Sequence, residues 1–194
     1  MRVRDVDILI VPGWTRNSDD HWQSRWAKHL STARIVEQDD WDRPTRSAWV
    51  PRIIAAAKAA TRPVVLVAHS CGVAAVAHAA SELARLGVAG AFLVAPPDFE
   101  NRAPIEAFMR DAGPGVAFPE TLAPLPTDRL PFPSKLIGSS TDPYCSVERA
   151  QELGAAWGSD VSIIAGAGHI NTASGHGPWP EGLLTFGLFL RSLG

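Results

Sequence analysis

The chain has 194 residues, 46% hydrophobic and 20% charged, with a formal net charge of -2. That length suits one domain, which buries roughly 70% of its unfolded surface and needs no disulfide or metal to hold a core. No apolar run approaches the roughly 18 residues of a membrane span, and the near-balance of charge leaves no polybasic face; this argues against a membrane or nucleic-acid partner and against disorder.

Residues 6–11 (VDILIV) read as a strand buried on both faces. Ser18 or Asp19 can cap a helix over 19–30, on which Trp22, Trp26 and Leu30 recur at i, i+4 and i+8 and pack against the sheet. A weaker strand follows at 34–37, a helix at 46–60 and a second strongly apolar strand at 64–67. An Ala-rich helix over 72–86 closes at Gly87, before a strand at 91–95. Strands at 135–138 and 161–165 flank a helix at 147–157, and a terminal helix covers 183–193. This alternation predicts a three-layer α/β sandwich over 1–194: a six-stranded parallel sheet in order 2-1-3-4-5-6 with helices on both faces. Segment 96–132 breaks the rhythm with prolines at 96, 97, 104, 114, 119, 124, 126 and 131, which deny it a long helical lid. A short helix fits at 105–111, and the rest reads as a loop insertion over the C-terminal edge of the sheet.

The stretch Val67-Ala68-His69-Ser70-Cys71-Gly72-Val73 carries the chemistry. A strand runs straight into a helix through small-x-Ser-x-Gly, a turn tight enough to strain the serine backbone and lift its hydroxyl out of the sheet. Bulk two residues before or after would collide there. Gly72 meets this need fully; Ala68 departs from the usual glycine by one methyl. The reading of Ser70 as an ordinary helix cap is weaker, since capping needs neither the strand nor the small neighbours.

A serine hydroxyl needs a base, and the base an acid to fix its tautomer. In this architecture the order along the chain is Ser, acid, His, each at the end of a later strand. Asp142 follows the fifth strand and is held extended by Pro143. His169 follows the sixth strand in the flexible frame Gly166-Ala167-Gly168. Asp98 and His176 are the reserves. His69 sits inside the elbow and reads as packing. The oxyanion of a tetrahedral intermediate needs two backbone N–H donors. Cys71, at a helix N-terminus, is one; Trp14 is favoured for the other, with Gly13 or Thr15 as alternatives. His21 and Trp41 are candidates to rim the cleft, and Phe108, Phe118 and Phe132 to form a shallow apolar wall.

These residues, with DHWQSRW at 20–26, WDRP at 41–44, Asp142-Pro143-Tyr144 and the GHIN and WPEG stretches near the C-terminus, span nearly the whole chain. On them the sequence resembles the α/β-hydrolase superfamily, and within it the small serine hydrolases of the retinoblastoma-binding-protein-nine type. The resemblance implies a minimal hydrolase fold without a large cap, a Ser70–Asp142–His169 triad, and esterase- or aminopeptidase-like activity on a small-molecule acyl substrate. A retinoblastoma-type partner is not expected, because the L-x-C-x-E motif is absent.

No G-x-x-x-x-G-K, H-E-x-x-H or C-x-x-C occurs, so no cofactor and no metal are expected. The charged N-terminus, a short apolar run before Pro12 and two cysteines point to a reduced, cytoplasmic protein. The competing class is a non-catalytic interaction module that keeps the hydrolase fold.

Overall fold

The computed structural model describes every residue, Met1–Gly194. Its strands are β1 (Asp7–Val11), β2 (Ala33–Ile35), β3 (Val64–His69), β4 (Gly90–Val94), β5 (Ser134–Ser139) and β6 (Asp160–Ile164). All pair in parallel, in the order β2-β1-β3-β4-β5-β6. The helices are α1 (Trp22–His29), α2 (Arg46–Lys58), α3 (Cys71–Arg85), α4 (Arg102–Ala112), α5 (Val147–Trp157) and α6 (Pro180–Ser192).

Every residue of β1, β3 and β4 is buried, which is why these strands read as nearly continuous apolar runs, with Asp7 and His69 the polar exceptions at their ends. The period of two decides which side each residue serves. Leu9, Val11, Leu66, Ala68 and Leu93 face a core shared with Trp49 and Ile53 of α2, Val73 and Leu83 of α3, and Leu153 and Trp157 of α5. Ile8, Ile10, Val65, Val67 and Phe92 face the opposite core, with Trp22 and Trp26 of α1 and Phe186 and Leu190 of α6. Trp22, Trp26, Trp179 and Phe186 form one aromatic cluster there, with Trp22 edge-on to Trp26 at 4.8 Å between ring centres.

Three boundaries differ from the expectation for local reasons. Helix α1 starts at Trp22, not 19, because His21 caps it: its Nδ1 accepts the Gln23 N–H at 3.2 Å. Helix α6 starts at Pro180, where a missing N–H costs nothing. Helix α4 is 11 residues long, because Pro104 falls in its first turn, the one place where a helix tolerates proline. Residues 113–132 form no helix or strand. Within them Leu122, Leu125, Leu130 and Phe132 are buried in the core shared with α2 and α3.

Candidate active site

Ser70 stands between β3 and α3 with φ +53° and ψ −127°, a conformation that non-glycine residues rarely adopt. Two glycines make room for it. A Cβ on Gly72 would lie 2.3 Å from the Val11 carbonyl oxygen and 2.6 Å from that of Pro12. A Cβ on Gly13 would lie 2.9 Å from Ser70 Cβ. The β1 loop and the elbow are thus in backbone contact, and side-chain bulk at either position would part them.

The structure brings the three expected side chains together. Ser70 Oγ is 3.0 Å from His169 Nε2, and His169 Nδ1 is 2.9 Å from each oxygen of Asp142. The Asp142 side chain is 1% exposed and that of His169 9%. The Tyr144 N–H donates to Asp142 Oδ1 at 2.9 Å, and the Tyr144 ring stands edge-on to the His169 ring at 4.7 Å. Since the imidazole contacts the hydroxyl and the carboxylate at once, it can take the serine proton while the carboxylate stabilises the imidazolium.

The loops that carry acid and base are tied to each other. The side-chain oxygens of Ser139, Ser140 and Thr141 accept the N–H groups of Ala167, Gly166 and Gly168 at 3.1, 3.0 and 2.9 Å. The run Ser139-Ser140-Thr141 before Asp142 is the sequence trace of this clasp, and spacing alone does not reveal it. The reserve residues are used elsewhere. Asp98 caps the Glu100 N–H and pairs with Arg149, and His176 bonds Ser174 Oγ.

For the oxyanion, the Thr15 N–H is already committed to the Trp41 carbonyl at 2.9 Å, whereas those of Gly13, Trp14 and Cys71 meet no backbone acceptor. Burial pushes the Cys71 thiol up to about 12, against a smaller opposing effect of the nearby Trp14 N–H. Trp14 and Cys71 both border the space over Ser70. No group of three or more His, Cys, Asp or Glu side chains is arranged to hold a metal ion.

A cavity of about 210 Å³ opens over Ser70. Its apolar wall is Trp14, Pro97, Phe99, Ile105, Phe108 and Tyr144, and its polar wall includes Arg16, Asn17, Ser18, His21, Asn171 and Thr172. Of the expected rim and wall residues, His21 and Phe108 line it and three do not. Trp41 packs edge-on to Trp49 at 5.7 Å, under Arg16. Phe118 packs on Phe99 and beneath Arg102, and Phe132 is a core residue. Sequence reasoning missed Phe99, Ile105 and Tyr144. Ile105 stands on the first turn of α4 and Phe99 in the turn between β4 and α4; Tyr144 is signalled only by its closeness to Asp142.

His21 and His69, both 3% exposed, lie beside the base. Burial, aided by the nearby His169, lowers His21 to about 3 and His69 well below the ordinary histidine value, so both are neutral.

A parallel doubly wound sheet with a serine elbow at the end of β3 defines the α/β-hydrolase class. The serine hydrolase family model matches residues 8–187, and the chain belongs to that family. A YdeN-like hydrolase from Pectobacterium atrosepticum is 30% identical, with a TM-score of 0.79 over 98% of this chain and 93% of that one. Two more distant structures share the fold. The ydeN gene product of B. subtilis is 18% identical, with a TM-score of 0.69 over 96% of this chain and 97% of its own. The esterase RhEst1 from Rhodococcus sp. is 15% identical, with a TM-score of 0.62 over 98% and 90%. No curated protein sequence matches. No helix is long and apolar enough to cross a membrane.

Proposed function

We propose that this serine hydrolase cleaves small acyl esters through an acyl-enzyme on Ser70, with His169 as base and then acid, and Asp142 as its orienting carboxylate. The observation that carries this reading is the unbroken chain of contacts from Ser70 Oγ through His169 to both oxygens of Asp142. The N–H groups of Cys71 and Trp14 stabilise the oxyanion, and Gly13 lets the Trp14 loop approach. Attack of Ser70 Oγ on the carbonyl carbon expels the alcohol, which takes its proton from His169. Water then attacks the acyl-enzyme with the same imidazole as base, releasing the acid and restoring Ser70.

The cavity wall favours esters over aminoacyl amides. An aminopeptidase must balance a substrate ammonium group, yet the only charged side chain lining the cavity is the cation Arg16. The apolar wall suits a short acyl chain, and the polar wall a hydrogen-bonding alcohol. The buried free thiols Cys71 and Cys145 fit a reduced, cytoplasmic setting.

The test is a panel of chromogenic acyl esters and aminoacyl amides, run on wild type and Ser70→Ala with a fluorophosphonate label as reporter. Esters should turn over faster than amides, with turnover lost on the order of 10³-fold or more in Ser70→Ala. A label that persists in Ser70→Ala would refute the nucleophile. Amides cleaved faster than esters would reverse the substrate class. A wild-type protein inert to substrates and label would support the interaction-module reading.

A further inference from the structure

We propose that Trp22 and His69 are positioning residues that clamp the backbone of the catalytic base. The proposal rests on His169 being that base. The indole Nε1–H of Trp22 donates to the Ile170 carbonyl at 2.9 Å, and His69 Nε2 lies 2.9 Å from the His169 carbonyl oxygen. Two consecutive carbonyls are therefore gripped by buried side chains from two other elements. Together these bonds orient both peptide planes, and through them the Cα–Cβ bond that aims the imidazole at Ser70.

The backbone between those carbonyls needs gripping. Ile170 sits at φ +47°, in the left-handed region that β-branched residues avoid. Such a conformation persists only where the surroundings over-determine it, and it collects at functional sites.

His69 has a second consequence. It is bonded covalently to Ser70, so its contact with His169 closes a ring. One arm is Ser70 Oγ to His169 Nε2, and the other is His69 Nε2 to the His169 carbonyl. Nucleophile and base are held in register by two hydrogen bonds instead of one.

The tautomers follow from the partners. A carbonyl only accepts, so the neutral His69 carries its proton on Nε2 and leaves a lone pair on Nδ1. His21 Nδ1 accepts the Gln23 N–H, so its proton is on Nε2. His69 Nδ1 and His21 Nε2 are both buried without another partner, and the two rings stand edge to face at 5.0 Å. One is an acceptor and the other a donor, so the two facing rings are complementary in role. Gln23 then anchors α1: its Nε2 donates to the Val67 carbonyl at 2.9 Å and the Val11 carbonyl at 3.3 Å. Polar side chains this deeply buried are costly unless bonded, and the donors of Trp22 and Gln23 are spent on the strands and the loop around the elbow.

The test compares Trp22→Phe, His69→Met and His69→Gln with wild type and Ser70→Ala on p-nitrophenyl acetate. Trp22→Phe keeps a ring but loses the N–H; His69→Gln keeps a donor near Nε2, and His69→Met does not. A misplacement of about 1 Å costs on the order of 10²-fold in rate, so Trp22→Phe and His69→Met should lose ~10- to 100-fold in kcat. KM should stay within about threefold in both, because the lost contacts act on the base and not on bound substrate. His69→Gln should recover most of the rate. Loss of stability alone would lower Tm and leave the kcat of the folded enzyme in place. With Ser70→Ala inactive, a Trp22→Phe enzyme with wild-type kcat overturns the proposal, as does His69→Gln no better than His69→Met. Should His69→Met not fold, the Trp22→Phe result decides. Full activity in Ser70→Ala would overturn the triad itself, a distinct result.

Discussion

Replacing Gly72 by alanine sets two magnitudes against each other. In a helix the change ordinarily gains about 0.5–1 kcal/mol, because glycine loses more backbone entropy on folding. At Gly72 the new Cβ would stand 2.3 Å from the Val11 carbonyl oxygen and 2.6 Å from that of Pro12. Both obstacles are backbone, so neither can swing aside, and an ordinary contact requires β1 and the start of α3 to part by about 1 Å. Overpacking of this kind costs about 1–3 kcal/mol, which exceeds the helix gain. Gly187 in α6 is the internal control, because a Cβ there meets nothing within 4 Å. Gly187→Ala should therefore raise stability by up to about 1 kcal/mol, or roughly 2–4 °C in Tm. Gly72→Ala should lower Tm and also depress ester turnover on the order of 10²-fold, since the parted elements, β1 and α3, carry the Trp14 loop and Ser70. Thermal melts followed by circular dichroism, with initial rates on p-nitrophenyl acetate, measure both. If Gly72→Ala melts above wild type at full activity, the close-approach argument fails.

Three further outcomes are expected. Asp7 is 4% exposed; burial raises its carboxyl, but the N–H groups of Thr61 and Arg62 and the Arg62 guanidinium outweigh this and hold it below the usual range. A carboxyl lowered on folding stabilises above its unfolded value of about 4 and loses that contribution as pH falls. Asp7→Asn should then cost about 1–3 kcal/mol at pH 7 in denaturant titrations, with the deficit shrinking towards pH 3; an equal deficit at both pH values would refute the linkage. Burial pushes the thiols of Cys71 and Cys145 up to about 12, so a disulfide reagent at pH 8 should label neither until the chain is unfolded. Rapid labelling of the native protein would contradict this. A cavity of about 210 Å³ walled by Trp14, Phe99, Ile105 and Phe108 holds a few methylenes, each worth roughly 0.8 kcal/mol. kcat/KM for p-nitrophenyl esters should level or fall beyond about four to six carbons, and a steady rise through twelve would mean a long-chain channel.

Much of this molecule is local and therefore written in its order of residues. The largely apolar runs of β1, β3 and β4 read as strands covered on both faces, and their alternation with helices and right-handed crossovers pointed to the sheet order found. Ser70 was legible because the elbow is a steric demand met within five residues, and the Asp142 and His169 positions followed from strand ends. Other features belong to neighbours far along the chain. The same aromatic residue type lines the cavity at Phe108, packs under Arg102 at Phe118 and fills the core at Phe132, since the path of segment 96–132 depends on which hollow its apolar side chains reach. Trp22 of α1 was readable as an anchor by its spacing of four from Trp26. Only the folded chain brings its indole N–H within 2.9 Å of Ile170, 148 residues away, because periodicity states which face is buried and not what that face meets.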